Sequence, residues 1–228
     1  MSLQFKIAVL FFVTFFSFAG QPLARNHSDS GQKVIEASGV LEEIFSIPEQ
    51  SIPPTLLRNA HAIVVIPGLI KAGFIIGGRY GSGLMMVRDK EGAWHYPVMV
   101  TLTGASIGWQ IGVQSTDIIL VFKNLKSINA IEKGKFTLGA DASVAAGPVG
   151  RHAEASTDIQ FRSEIYSYSR SRGLFAGIAL EGAALLIDQD ATWALYSRPA
   201  YDILHKTELK QIPMAAKQFR QVVLKYVQ

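Results

Sequence analysis

The chain has 228 residues and no cysteine, so it has no disulfide, no thiolate metal site and no cysteine nucleophile, and burial must hold its fold together. That length suits one domain, or at most two small ones. Apolar residues make up 49% and charged residues 18%, and the net charge of +4 is far below that of a dedicated nucleic-acid-binding domain.

The N-terminus reads as a cleavable export signal over residues 1–19. Lys6 precedes the apolar run Ile7–Phe16, and Ser17-Phe18-Ala19 places small residues where a signal peptidase reads. The cut is expected between Ala19 and Gly20, with Pro22-Leu23-Ala24 as a second stop. The run is shorter than the roughly 20 residues a membrane span needs. The expected location is therefore periplasmic or secreted.

Ser28 to Phe45 is expected to be a helix, with Val34, Ala37, Leu41 and Ile44 at helical spacing. A short second helix is expected over Leu56–Ala60, then a buried strand, Ile63–Ile66, stopped by Pro67-Gly68. From Phe74 to Ser197 the period changes. Ala105, Ile107, Trp109, Ile111 and Val113 alternate with glycine and polar residues, which predicts a strand with one apolar face. Ile118–Phe122 reads as a strand covered on both faces. Phe136–Ala146 and Asp158–Tyr168 alternate again, Gly173–Ile187 reads as a strand or strand pair, and Trp193–Tyr196 is expected to close the series after an Asp188-Gln189-Asp190 turn. Glycine inside so many strands predicts sharp bends. Lys206–Gln228 returns to helical period, with Ile212, Ala216, Phe219, Val223 and Tyr226 as its apolar stripe. The expected fold is α+β: a strongly bent antiparallel sheet or barrel flanked by N- and C-terminal helices, in a single domain spanning 28–228.

Few residue patterns point to catalysis. Gly77-Gly78-Arg79-Tyr80-Gly81-Ser82-Gly83 fits neither glycine-rich phosphate motif and reads as a bent strand. His27, His61, His95, His152 and His205 are scattered, with no zinc-ligand spacing, so no cofactor or metal is expected. Asp141, Ser143 and His152 are near one another in sequence and leave a hydrolase as an alternative, although a polar strand face explains them more simply. The basic residues are more suggestive. Lys123, Lys126, Lys133 and Lys135 bracket one connection, and Arg170 and Arg172 flank a turn beside Tyr166 and Tyr168. Clustered cations beside aromatic rings can hold phosphate head groups while the rings sit at interfacial depth.

Three segments carry a resemblance: Gln114-Ser115-Thr116-Asp117, the stretch Gly139–Arg151 (GADASVAAGPVGR), and Ile165–Gly177 (IYSYSRSRGLFAG). Taken in order over Leu57–Tyr196, the chain resembles the SYLF-domain family. The resemblance implies a lipid-binding, non-catalytic domain; eukaryotic members bind phosphoinositides, and yeast relatives also bind and bundle actin. With its export signal, the chain is similar to a stand-alone bacterial version without SH3 or FYVE modules. The expected partner is an anionic phospholipid surface of the cell envelope, with nucleic acid excluded and actin an unlikely partner for an exported protein. The family's N-terminal helix is implied to aid membrane association, yet here Ser28–Phe45 carries Lys33 against Glu36, Glu42 and Glu43, a balance that disfavours insertion into an anionic bilayer. A small outer-membrane barrel is the other alternative, since alternating strands and an export signal suit one.

Overall fold

Two unusually long strands, folded back on themselves, make the centre of the protein. The computed structural model describes residues 27–47, 51–149, 163–171, 174–176, 180–206 and 209–227. The export signal read at residues 1–19 lies outside them. Helix α1 (His27–Ser46) and the short α2 (Pro54–Arg58) lead into β1 (Ala62–Val87) and β2 (Val98–Phe122), which pair antiparallel along almost their whole lengths. Helix α3 (Leu125–Glu132) follows, then β3 (Val144–Ala146), β4 (Ile165–Ser171), β5 (Leu174–Ala176) and β6 (Ala184–Ile187). Three helices end the chain: α4 (Gln189–Tyr196), α5 (Ala200–His205) and α6 (Met214–Val227).

Strand β2 has β1 on one side; on the other, its C-terminal end, Asp117–Phe122, pairs with β4 and Val100–Thr103 near its start pairs with β6, both antiparallel. Beyond β4 lie β5, antiparallel, and β3, the one parallel pairing among the described strands. The ends of the main path, β1 and β3, are not hydrogen-bonded to each other among the described residues, so the sheet is an open curl and not a closed barrel.

The curl comes from β1 crossing its own path. Register shifts fall between Ile66 and Leu69 and between Gly73 and Ile75, and such bulges bend a strand and strengthen its twist. The later half of β1 then lies over the earlier half. A Cβ on Gly83 would stand 2.0 Å from the carbonyl oxygen of Val65 and 2.7 Å from Ile66 Cα. Only glycine permits two backbones to approach so closely.

The expected stop at Pro67-Gly68 is instead the first bulge of a continuing strand. Gly68, at φ +61°, donates its amide to Asp117 Oδ1 at 2.8 Å, so β2 supplies the partner that lets β1 continue past a proline. Ile118–Phe122 is fully buried, as the unbroken apolar run predicts.

Two other expected strands are not strands. In Phe136–Ala146 only Val144–Ala146 pairs as one; Gly139 takes φ +84°, and Asp141 Oδ2 accepts the Thr137 amide at 2.6 Å, which closes a turn. Trp193–Tyr196 belongs to helix α4. The Asp188 carboxylate caps it by accepting the Ala191 amide at 2.9 Å, and Ser197 ends it in the left-handed region. Of Asp158–Tyr168, the part before Ser163 lies outside the described residues. Gly173–Ile187 contains two short strands, β5 and β6, that pair with different neighbours. Helices α3 and α5 lie where the sequence predicts no element; both are short, below the length at which periodicity separates a helix from a loop.

Helix α1 spends its apolar face on the core. Val34, Ala37, Leu41 and Ile44 are buried against the sheet and neighbouring helices. Phe45 stacks on Tyr226 of α6 with ring centroids 3.8 Å apart, and Ser30 Oγ donates to Ala191 O of α4 at 3.2 Å. Membrane contact through that face would require α1 to leave the sheet.

Candidate functional site: the basic face of α3

Asn124 starts α3. Its side-chain oxygen accepts the Ser127 amide at 3.0 Å, so the end of β2 turns directly into the helix. Ser127, Ile128 and Ile131 face the core. Lys126, Asn129 and Lys133 then follow at i, i+3 and i+7 on the outer side, and Lys135 comes just after Gly134, a positive-φ glycine that closes the helix. Lys126, Lys133 and Lys135 are exposed and form no ion pair among the described residues. Three of the four expected lysines therefore share one solvated patch. Lys123 is placed differently: it is half-buried at the end of β2, with its ammonium 6.0 Å from the centre of the Tyr166 ring.

The aromatic half of the expected site is not at the surface. Tyr166 and Tyr168 share one face of β4 and are each 1% exposed, so neither ring can sit in a lipid interface. The Tyr168 hydroxyl donates to Pro148 O at 3.1 Å, and Gly147 lies across the ring so closely that a Cβ there would meet Tyr168 Cζ at 2.1 Å. Tyr166 Oη accepts the Ser163 amide at 3.1 Å. The sequence shows aromatics beside cations, but the cover that Gly147-Pro148 lays over Tyr168 comes from 20 residues away along the chain.

Arg170 is likewise committed. It pairs with Glu43 of α1 and lies 3.7 Å from Asp117 Oδ2, on the same carboxylate that holds the Gly68 bulge. It therefore fastens α1 to the sheet and is not a free phosphate ligand. Arg172 lies outside the described residues.

The hydrolase alternative loses two of its members to structural roles. Asp141 closes the turn described above. Ser143 Oγ accepts the Glu164 amide at 3.0 Å, while the Ser143 amide donates to Glu164 Oε2 at 3.1 Å, a reciprocal clasp between β3 and β4. His152 lies outside the described residues. Among the described residues no group of three or more His, Asp or Glu side chains is placed to hold a metal ion.

Burial pushes the Tyr168 hydroxyl well above the usual tyrosine range, and the adjoining Tyr166 adds to the shift; Tyr196, whose hydroxyl donates to Pro97 O at 2.7 Å, is raised for the same first reason, with Tyr96 adding to it. Both groups stay neutral in the fold and ionise near pH 10 once unfolded. Their contribution is therefore complete below pH 10 and lost progressively above it. Stability is expected to fall by up to about 2.7 kcal/mol per pH unit from these two groups. Tyrosinate absorbance and far-UV circular dichroism followed together in an alkaline titration check this: the ionisation of these two tyrosines should coincide with unfolding, and ionisation of all tyrosines with native dichroism would contradict it.

A family model described as "Ysc84: Las17-binding protein actin regulator" matches residues 103–226, from near the start of β2 into the last turn of α6. The chain is 35% identical to Protein YSC84 of Saccharomyces cerevisiae over 175 residues, covering 75% of this chain and 37% of that protein. It is 33% identical to SH3 domain-containing YSC84-like protein 1 of Xenopus laevis over 205 residues, 84% of this chain and 60% of that one. LAS seventeen-binding protein 3 of S. cerevisiae is 36% identical over 175 residues, 75% and 38% of the two chains. This chain thus spans between about a third and three fifths of the length of these relatives.

Proposed function

The chain belongs to the Ysc84 (SYLF-domain) family, and from that membership we propose that it is a non-catalytic binding protein, exported to the cell envelope, that docks on anionic phospholipid surfaces. The observation that carries this reading is the solvated cluster of Lys126, Lys133 and Lys135 around α3, which forms no ion pair among the described residues. Each lysine near an anionic bilayer is worth about 1 kcal/mol, and three on one side act together. The folded state offers no competing acidic partner for these ammonium groups among the described residues, so no internal ion pair has to break before they meet phosphate. The buried apolar face of α1 supports surface docking over insertion.

Actin is named in the description of the matching family model, and it is the other partner to weigh. The export signal read at residues 1–19 favours an envelope lipid.

Flotation of the protein, without its first 19 residues, on phosphatidylglycerol-containing vesicles tests the proposal. It should float at about 0.1 M salt and be released near 1 M, where the screening length drops from about 10 Å to about 3 Å. Failure to float on any anionic vesicle at low salt overturns the reading, and co-pelleting with actin filaments in the same buffer would replace it.

A further inference from the structure

Beside the basic face of α3, a cleft of about 440 Å³ opens between the β1–β2 turn and helices α3 and α5. That volume lies within the usual range of about 300–1,000 Å³ for small-molecule sites. Its floor is apolar, formed by Val87, Leu125, Ile128 and Leu204. Its walls carry both signs of charge. His95 Nε2 stands 3.3 Å from Asp89 Oδ2, and across the cleft His205 Nε2 stands 3.1 Å from Glu132 Oε2. Arg88 is held as a fixed arm, with Nε donating to Gly92 O at 3.1 Å and Nη1 to Arg58 O at 2.7 Å. The side chains of Lys90, Glu91 and Asn129 also line the cleft and have no hydrogen-bond or ion-pair partner among the described residues.

We infer that this cleft binds the head of a zwitterionic phospholipid, a phosphoester carrying an ammonium group, with the carbons next to the head resting on the apolar floor. The inference rests on the reading of the protein as a phospholipid binder and assigns it a second, selective site. The charge pattern decides the ligand class. A purely anionic head would bring its phosphate among the carboxylates of Asp89, Glu91 and Glu132 with no cation of its own to answer them. A purely cationic ligand would face Arg88 and Lys90. An apolar ligand would strip water from all of these groups and give nothing in return. A dipolar head satisfies both sets: Arg88 and Lys90 meet the phosphate in charge-assisted hydrogen bonds, Glu91 takes the ammonium, and Asn129 can donate to one and accept from the other. The division of labour with the neighbouring lysines follows. The stripe on α3 carries only positive charge and attracts a surface, whereas the cleft carries both signs and selects a head group.

Calorimetric titration of the full domain with dihexanoyl phosphatidylethanolamine below its micelle concentration is the test. Glycerophosphoethanolamine, the same head without acyl chains, and dihexanoyl phosphatidylglycerol serve as comparison ligands. The zwitterionic lipid should saturate one site, with each comparison ligand at least about tenfold weaker, or about 1.4 kcal/mol. The double variant Lys90→Gln/Glu91→Gln should lose at least about tenfold in affinity while melting at the wild-type temperature, because both side chains are exposed and have no partner among the described residues. Equal affinity for glycerophosphoethanolamine would make the ligand a free phosphoester and overturn the lipid assignment. Equal affinity for phosphatidylglycerol, or unchanged binding in the double variant, would overturn the site. Vesicle flotation without this one-to-one binding overturns the cleft and leaves the surface reading standing; one-to-one binding without flotation does the reverse.

Discussion

Gly83→Ala is expected to lower stability by about 3 kcal/mol or more, because its would-be Cβ makes the shortest backbone contact among the described glycines. The added Cβ would stand 2.0 Å from Val65 O and 2.9 Å from Val65 C. Both are backbone atoms of a fully buried strand paired with β2, so they cannot turn aside as a side-chain tip can. Overpacking a core ordinarily costs about 1–3 kcal/mol, and a clash with fixed backbone belongs at or above the upper end. In a domain of this size that lowers the melting temperature by roughly 6–12 °C. Gly81→Ala should cost less, because its nearest contacts, at 2.7 and 2.8 Å, are the terminal methyls Ile66 Cγ2 and Leu69 Cδ1. Gly31→Ala should have the opposite sign: Gly31 lies in α1 with nothing within 4 Å of its would-be Cβ, and alanine in a helix is favoured over glycine by up to about 1 kcal/mol. Thermal melts of the three variants read the order directly. If Gly83→Ala melts with the wild type, β1 does not cross its own path in solution.

Neutralising the cluster on α3 should weaken vesicle binding by about 100-fold. The triple variant Lys126→Gln/Lys133→Gln/Lys135→Gln removes about 3 kcal/mol of attraction at roughly 1 kcal/mol per lysine, and every 1.4 kcal/mol is tenfold. All three side chains are solvated, so the fold should be unaffected. The matched control is Lys71→Gln/Lys210→Gln/Lys217→Gln, which removes the same net charge from exposed positions elsewhere. Partition measurements on vesicles of graded phosphatidylglycerol content separate the two. A large loss in the α3 variant and a small one in the control places the contact at α3; equal losses would reduce the attraction to net charge and remove the site.

The segments by which the chain resembles its relatives turn out to meet one another in space. Asp117, from the first, holds the Gly68 bulge and faces Arg170, from the third. Gly147, from the second, lies across the Tyr168 ring of the third. These residues make the curled sheet possible, so the motifs that reveal the family report its fold first. The sequence reading of a basic-aromatic lipid site mixed two kinds of residue. Lys126, Lys133 and Lys135 were legible as surface because nothing apolar in their local pattern needs them buried. Tyr166 and Tyr168 were not legible as core, because alternation shows that two residues share a face without showing what covers it. The cleft escaped sequence reading for a similar reason. Its walls come from positions 87–95, 125–132 and 204–205, which no local spacing connects.

Several features were fixed by the sequence with no help from distant contacts. Helical period set α1 and α6, strict alternation and glycine spacing set a bent sheet, and an unbroken apolar run marked Ile118–Phe122 as buried on both faces. The α+β class follows from these, since each rests on the local period of a chain burying one face. Where a period is interrupted, the tertiary structure decided. Pro67-Gly68 would end an isolated strand, but the Asp117 carboxylate makes it a bulge. Residues 193–196 could extend, but the Asp188 cap turns them into a helix. Phe136–Ala146 alternates like a strand, yet Gly139 and Asp141 close it into a turn. In each case a hydrogen bond worth about 1 kcal/mol acts where local preference is nearly balanced. The first of these partners comes from across the sheet; the other two lie three and four residues along the chain, in segments that longer-range backbone bonds hold, Asp188 N–H to Met99 O and Leu138 N–H to Ala183 O.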